Sequence, residues 1–248
     1  MFRTRQVSLH VQAVLLLTCS MGVCSLRSSA RAAELGHADV VAARAIEARQ
    51  PVSVPKPAGD RLFYATVYAD IWAHTDLLTL PLDAAAGTLR TDRVYFVGVG
   101  LGYTLIPSFS VPMPFCACGI NGLRLEVEGQ LGSYFGLQDH LESALVLLLR
   151  SPQFPLLAGF SANVAIGEGV SYAYSLPNFE GSVAAEGLDA AGPRKFLNYL
   201  AYEMEFSHEQ VKNWHLLLNV RHRSGIWGVI APHKTGANYI GGGIRADF

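Results

Sequence analysis

In this 248-residue chain, His222 and Ser224 have types and spacing that suggest chemistry. In an extended segment, residues separated by one share a face and lie about 7 Å apart, twice the strand rise. An imidazole within reach of a serine hydroxyl can take its proton as the oxygen attacks an acyl carbon, the minimum for covalent acyl transfer. His-x-Ser is also an ordinary pattern, so the pair has meaning only if the elements around it aim both side chains at a substrate. The other reactive pair, Cys116 and Cys118, is too close for a relaxed disulfide and supplies only two ligands of a closed zinc site. It reads as an incidental loop pair, and no metal or cofactor is expected.

Across the whole chain, half of the residues are hydrophobic, 16% are charged, and the mean hydropathy is +0.26. After the N-terminus, however, no run approaches the roughly 18 apolar residues of a spanning helix. The 24 Gly and 12 Pro disfavour long helices, and apolar content this high is incompatible with disorder. With 19 basic residues against 20 acidic ones, there is no cationic excess to neutralise phosphates. Helical transporters, disordered proteins and nucleic-acid binders are therefore excluded. The remaining class is a β-rich chain whose apolar residues are spread by alternation.

Residues 1–32 read as a cleaved signal peptide. Arg3 and Arg5 form a positive start, residues 11–23 are mostly apolar, and Ala30-Arg31-Ala32 offers the small-x-small cleavage pattern. Neither Cys19 nor Cys24 follows the small residue of a lipoprotein signal. Cleavage removes Arg3, Arg5, Arg27 and Arg31 and no acid, moving the formal charge from −1 to −5. Residues 33–60, with Pro51, Pro55 and Pro57 and no apolar period, read as a flexible lead-in. There is no internal repeat of solenoid length.

From residue 61 to 248 the period is two, the mark of strands with one apolar and one polar face. Eight segments follow it: 61–72, 94–106, 122–135, 142–150, 156–175, 195–207, 214–226 and 238–248. In the third, Leu123, Leu125, Val127 and Leu131 oppose Arg124, Glu126, Glu128 and Gln130; in the seventh, Trp214, Leu216, Leu218 and Val220 oppose Asn219, Arg221 and Arg223. The pattern of 142–150 is too uniformly apolar to set its phase. The polar parity carries both signs, with Glu126, Glu128, Glu203 and Glu205 against Arg124, Arg221, Arg223 and Arg245.

An even number of strands, most of them long enough to cross a bilayer, predicts an all-β, eight-stranded antiparallel transmembrane up-and-down β-barrel. Eight strands enclose an interior just wide enough for side chains to fill, and paired charges can fill it. A soluble barrel would reverse the two faces. From an inner N-terminus, the outer loops are 73–93, 136–141, 176–194 and 225–237, while 151–155 and 208–213 are short inner turns. The long inner turn 107–121 does not fit this scheme. The C-terminal Phe248, with Ala246, Ile244 and Ile240 in phase behind it, resembles the recognition signal of bacterial outer-membrane barrels and points to that membrane.

Within this frame, residues 222 and 224 continue the outward parity of Trp214, Leu216, Leu218 and Val220. A parity slip would turn every Leu inward, so His222 and Ser224 are expected to face lipid near the outer leaflet. The run Arg221-His222-Arg223-Ser224-Gly225, followed by Asn238-Tyr239-Ile240-Gly241 and a terminal Phe248, resembles the lipid A 3-O-deacylase family, acyloxyacyl hydrolase-like outer-membrane barrels. The resemblance covers about the last 35 residues. It implies hydrolysis of an ester-linked acyl chain of lipopolysaccharide or a related outer-leaflet lipid, with Ser224 as nucleophile, His222 as general base and no cofactor. Where that family places a Glu to orient the His, this chain has Asn238, and its Asn after the Ser is Gly225, which could offer only a backbone N–H to an oxyanion. His233 in the preceding loop is a further helper candidate. Two alternatives stay open: a non-catalytic eight-stranded barrel with a structural or surface-binding role, and a secreted soluble barrel for a small apolar ligand.

Overall fold

The structure, a computed structural model, describes residues 61–248 apart from 76, 78, 113–118, 181–191, 227–228 and 233–234. The signal and lead-in expected in residues 1–60, and Cys116, Cys118 and His233, lie outside the described residues. The strands are β1 Phe63–Ala73, β2 Thr91–Pro112, β3 Gly119–Gly136, β4 His140–Arg150, β5 Phe154–Pro155, β6 Phe160–Ala173, β7 Phe196–His208, β8 Trp214–Ser224 and β9 Gly236–Asp247. One helix, α1 (Leu80–Ala86), lies between β1 and β2 and ends on Gly87 in the left-handed region.

Every pairing is antiparallel, and β1–β9 and β4–β6 close the ring. Eight strands form the barrel. The two-residue β5 only adds an edge pair to β6. Closure leaves the barrel wall no free sheet edge, which is the condition for a sheet to stand in hydrocarbon, where an unpaired backbone group costs several kcal/mol.

The wall separates two chemistries. Outward positions carry Val67, Val99, Leu101, Leu131, Leu145, Leu147, Leu216, Leu218 and Ile244, all among the exposed large hydrophobics. Exposed aromatic rings mark both ends of this band. Phe63 and Phe248 stack near Tyr103 at the inner end, and Phe160 and Trp214 stand at the same end. At the outer end Tyr95 stacks on Phe135, and Tyr172 pairs across the ladder with Phe196. An apolar band between two aromatic girdles, around a polar interior, is the architecture of an outer-membrane β-barrel.

Charge fills the inside. Toward the inner end Arg150 joins Glu126 at 3.0 Å, Glu203 at 2.7 Å and Glu205 at 3.3 Å, and Arg245 shares Glu126 at 3.0 Å. Toward the outer end Glu142 takes Arg221 at 3.0 Å and Arg223 at 2.9 Å, and Arg223 also holds Glu180 at 2.8 Å. Between them Glu128 accepts from Tyr68 Oη and Gln130 Nε2, each at 2.7 Å. Small residues make the room: a Cβ on Gly102 would sit 1.9 Å from the Tyr64 ring, which in turn lies under the Arg245 guanidinium. All eight of the Glu and Arg residues expected on the polar parity face inward.

Two elements resolve what the sequence left open. The phase of β4 turns Val146 and Leu148 inward, because Gly167 and Ala201 opposite them are too small to fill the lumen themselves. The long inner turn at 107–121 is no simple loop. β2 and β3 continue past the barrel as a two-stranded ribbon, pairing Phe109 with Leu123 and Pro112 with Gly119, with register shifts where the ribbon leaves the wall.

Because Arg150 serves three carboxylates, Arg150→Ala should lower the unfolding free energy by about 3–5 kcal/mol, the range for stranding buried charges. Leu147→Ala on the outer face should cost less. Denaturant titration of the refolded protein, followed by gel mobility, checks this; equal losses would contradict a charge-filled interior.

Candidate functional site

The outer end of β8 places the site. Alternation along Trp214–Ser224 turns Trp214 and Leu216 outward at 59% and 58% exposure while Arg221 and Arg223 are buried in the lumen. His222 and Ser224 therefore stand half-buried on the outer wall, as their parity requires. Neighbouring strands decide what surrounds them. His222 lies opposite Asn238 of β9 and Leu200 of β7, and Ser224 lies opposite Gly236 and Asn198.

A directed hydrogen-bond chain runs through His222. Asn238 Nδ2 donates to the Thr75 carbonyl at 2.5 Å, which leaves Asn238 Oδ1 facing His222 Nδ1, also at 2.5 Å. An amide oxygen only accepts. In the neutral ring the proton therefore sits on Nδ1, and Nε2 carries the lone pair. That is the tautomer a general base toward a serine requires. Thr75 lies two residues past the end of β1, whose Ala73 pairs with Asn238, so closure of the barrel by β1–β9 is what sets the ring.

The β9 partner of Ser224 is Gly236, which brings no side chain against it. That glycine is obligatory: its φ is +141°, and a Cβ there would lie 1.9 Å from the Arg223 carbonyl. No hydrogen bond joins the His222 ring to Ser224 Oγ in this conformation; the ring's bond runs to Asn238.

Gly225 differs from its expected role. Its N–H donates to the Thr235 carbonyl at 3.2 Å, and its own carbonyl accepts from Ile230 and Ala231. The loop consumes the donor that an oxyanion would need. This loop also raises Val229 and Ile230 as exposed apolar side chains beyond the strand end.

Two further polar residues share the outer wall, both missed in reading the sequence. Asn198 is 1% exposed, and its Nδ2 donates to Glu168 Oε1 at 2.6 Å and to the Gly169 carbonyl at 3.4 Å. Glu168 shares the outward face of β6 with Ile166 and Val170 and is exposed. The signal was present, because both residues fall on the parity of their strands' apolar residues. Among the described residues no group of three or more His, Cys, Asp and Glu could hold a metal ion.

Fold and site together define a membrane-spanning eight-stranded barrel with a polar cluster, His222, Ser224, Asn238, Asn198 and Glu168, on its lipid-facing wall. Structural comparison finds barrels of the same general form. The outer membrane enzyme PagL aligns with a TM-score of 0.45 and 9% identity over 74% of this chain and 99% of that one. Neisserial surface protein A aligns at 0.42 and 11%, covering 75% and 97%, and the N-terminal β-barrel domain of Pseudomonas aeruginosa OprF at 0.39 and 10%, covering 76% and 98%. No family model and no curated protein matches the chain.

The chain through Asn238 makes a testable statement about His222. Nitrogen-15 NMR of the refolded protein should show the neutral ring protonated at Nδ1, and Asn238→Leu should abolish that preference. A Nε2-protonated ring in the wild type would contradict the assignment.

Proposed function

We propose that the protein is an esterase of the bacterial outer membrane that hydrolyses an ester-linked acyl chain of lipopolysaccharide at a Ser-His site on the barrel exterior. One observation carries this reading: the Thr75–Asn238–His222 chain leaves Nε2 as a proton acceptor on the same outward face as Ser224. In a bilayer that face meets acyl lipid. Ser224 stands one outward step below the level of the Tyr172–Phe196 pair, since its neighbour Asn198 is two residues from Phe196. That is the depth at which aromatic girdles meet the headgroup boundary, where acyl esters lie.

The chemistry proceeds as acyl transfer. Ser224 Oγ attacks the ester carbonyl carbon while His222 Nε2 takes the hydroxyl proton. The tetrahedral intermediate expels the sugar alkoxide, which leaves with that proton, and the acyl group remains on Ser224. Water then attacks the acyl-serine, its proton passing through His222 back to Ser224 Oγ, and a fatty acid departs. Asn238 positions the ring but brings no charge to the imidazolium, so its contribution is orientation and tautomer. Gly225 could serve the oxyanion only if its bond to Thr235 opened. The mechanism uses no cofactor.

A second reading, a non-catalytic barrel, draws on the missing His222–Ser224 hydrogen bond and on Asn238 where an acid would strengthen the base. The two readings differ in one spectrum. Expressed in cells whose lipid A is fully acylated, the wild type should remove one acyl chain, seen as a mass loss in lipid A. Ser224→Ala and His222→Ala should each reduce this by about 10³-fold or more. Unchanged lipid A with well-folded wild type in the membrane would establish the non-catalytic reading.

A further inference from the structure

Glu168 is the one Asp or Glu on the outward parity of the eight barrel strands among the described residues. A carboxylate facing lipid is costly, and such residues mark function. Its surroundings make the cost concrete. Ile166 and Val170 flank it on β6, and Leu200 faces it from β7. No ion pair reaches it among the described residues. The cation just before β7, Lys195, lies five residues from Leu200 and donates to the Tyr174 carbonyl. One oxygen, Oε1, is held by Asn198, and Oε2 has no hydrogen-bond partner among the described residues.

The way the side chain is held directs it. Glu168 starts in the row of Leu200 and His222, but Asn198 belongs to the next row outward, paired with Val170 and Ser224. The hydrogen bond therefore draws the carboxylate up to the row of Ser224, one strand beyond Asn198. There it lies about 7 Å along the strand below the Tyr172–Phe196 pair. A fixed anion at the headgroup boundary, one oxygen satisfied and the other open to the membrane, lacks a cation. The described residues supply none, and the medium beside it is lipid.

We propose that Glu168, held by Asn198, is a recognition subsite for the primary ammonium of a lipid headgroup, and that it selects, among ester lipids, those that bring such a group alongside the ester at Ser224. The proposal deepens the esterase reading and rests on it for the second half. An ammonium fits better than a quaternary amine, because it donates hydrogen bonds as well as charge to Oε2. Phosphate-only headgroups are disfavoured by like charge.

The test is lipid retention by the full-length protein carrying Ser224→Ala, so that nothing is hydrolysed. Offered equimolar phosphatidylethanolamine and phosphatidylglycerol in mixed micelles, it should retain the former about tenfold over the latter, the scale of one charge-assisted hydrogen bond, read by native mass spectrometry. Phosphatidylcholine should fall between them. Adding Glu168→Gln, which keeps an acceptor for Asn198, should bring the ratio near one in protein whose heat-modified gel shift shows it folded. Asn198→Ala should lower it as well. Equal retention of the two lipids, or a preference that survives Glu168→Gln, overturns the subsite. Equally strong binding of acyl-free glycerophosphoethanolamine overturns its assignment to membrane lipid. Selective retention combined with a wild type that leaves lipid A intact would sink the esterase reading alone.

Discussion

The structure rests on one constraint: a charged side chain facing hydrocarbon without a partner is costly, and a β-strand presents alternate residues to opposite faces. Together these fix the location of nearly every ionisable group in the barrel wall. Arg150, Arg221, Arg223 and Arg245 are buried in the lumen, where Glu126, Glu142, Glu203 and Glu205 meet them. Removing one member would leave the others uncompensated at low dielectric, which costs more than the pair contributes. The ion network therefore specifies register. A one-residue slip of β8 would drive Arg221 and Arg223 into lipid and the Leu residues into the charged lumen.

That specification gives the outer wall its chemistry. Because register is rigidly held, a polar residue placed on the outward parity stays there. Closure of the ring by β1–β9 then brings the Thr75 carbonyl to Asn238, Asn238 to His222, and the outward face of β8 to lipid. A site of this kind needs no cavity. In the proposed reaction the bilayer would deliver an acyl ester to the wall, and orientation in the leaflet would replace the binding pocket.

Much of this was legible in the sequence, because alternation is strong wherever Glu or Arg punctuates Leu and Val. The eight strands, the inward Glu and Arg parity and the outward His222 and Ser224 follow from period two alone. The phase of β4 was hidden, because Val146 and Leu148 fill space left by Gly167 and Ala201, a tertiary fact that no local pattern carries. The β2–β3 ribbon was hidden too: 107–121 read as a long inner turn, and only pairing such as Phe109 with Leu123 shows it as an extension of the two strands. Gly225 was read as an available N–H; only the folded loop shows Thr235 occupying it. Glu168 and Asn198 were readable by parity, but register was needed to set Asn198 beside Ser224 and lean Glu168 toward it.

The central claim is that Ser224 is a nucleophile activated on the lipid side of the wall. The direct measurement is covalent capture: a fluorophosphonate carried on an acyl chain, delivered in the bilayer to the reconstituted protein, followed by mass-spectrometric mapping of the adduct. The account expects a single adduct on Ser224, lost in His222→Ala and slowed in Asn238→Leu. An unmodified Ser224 in the folded wild type, or equal labelling after His222→Ala, would contradict it.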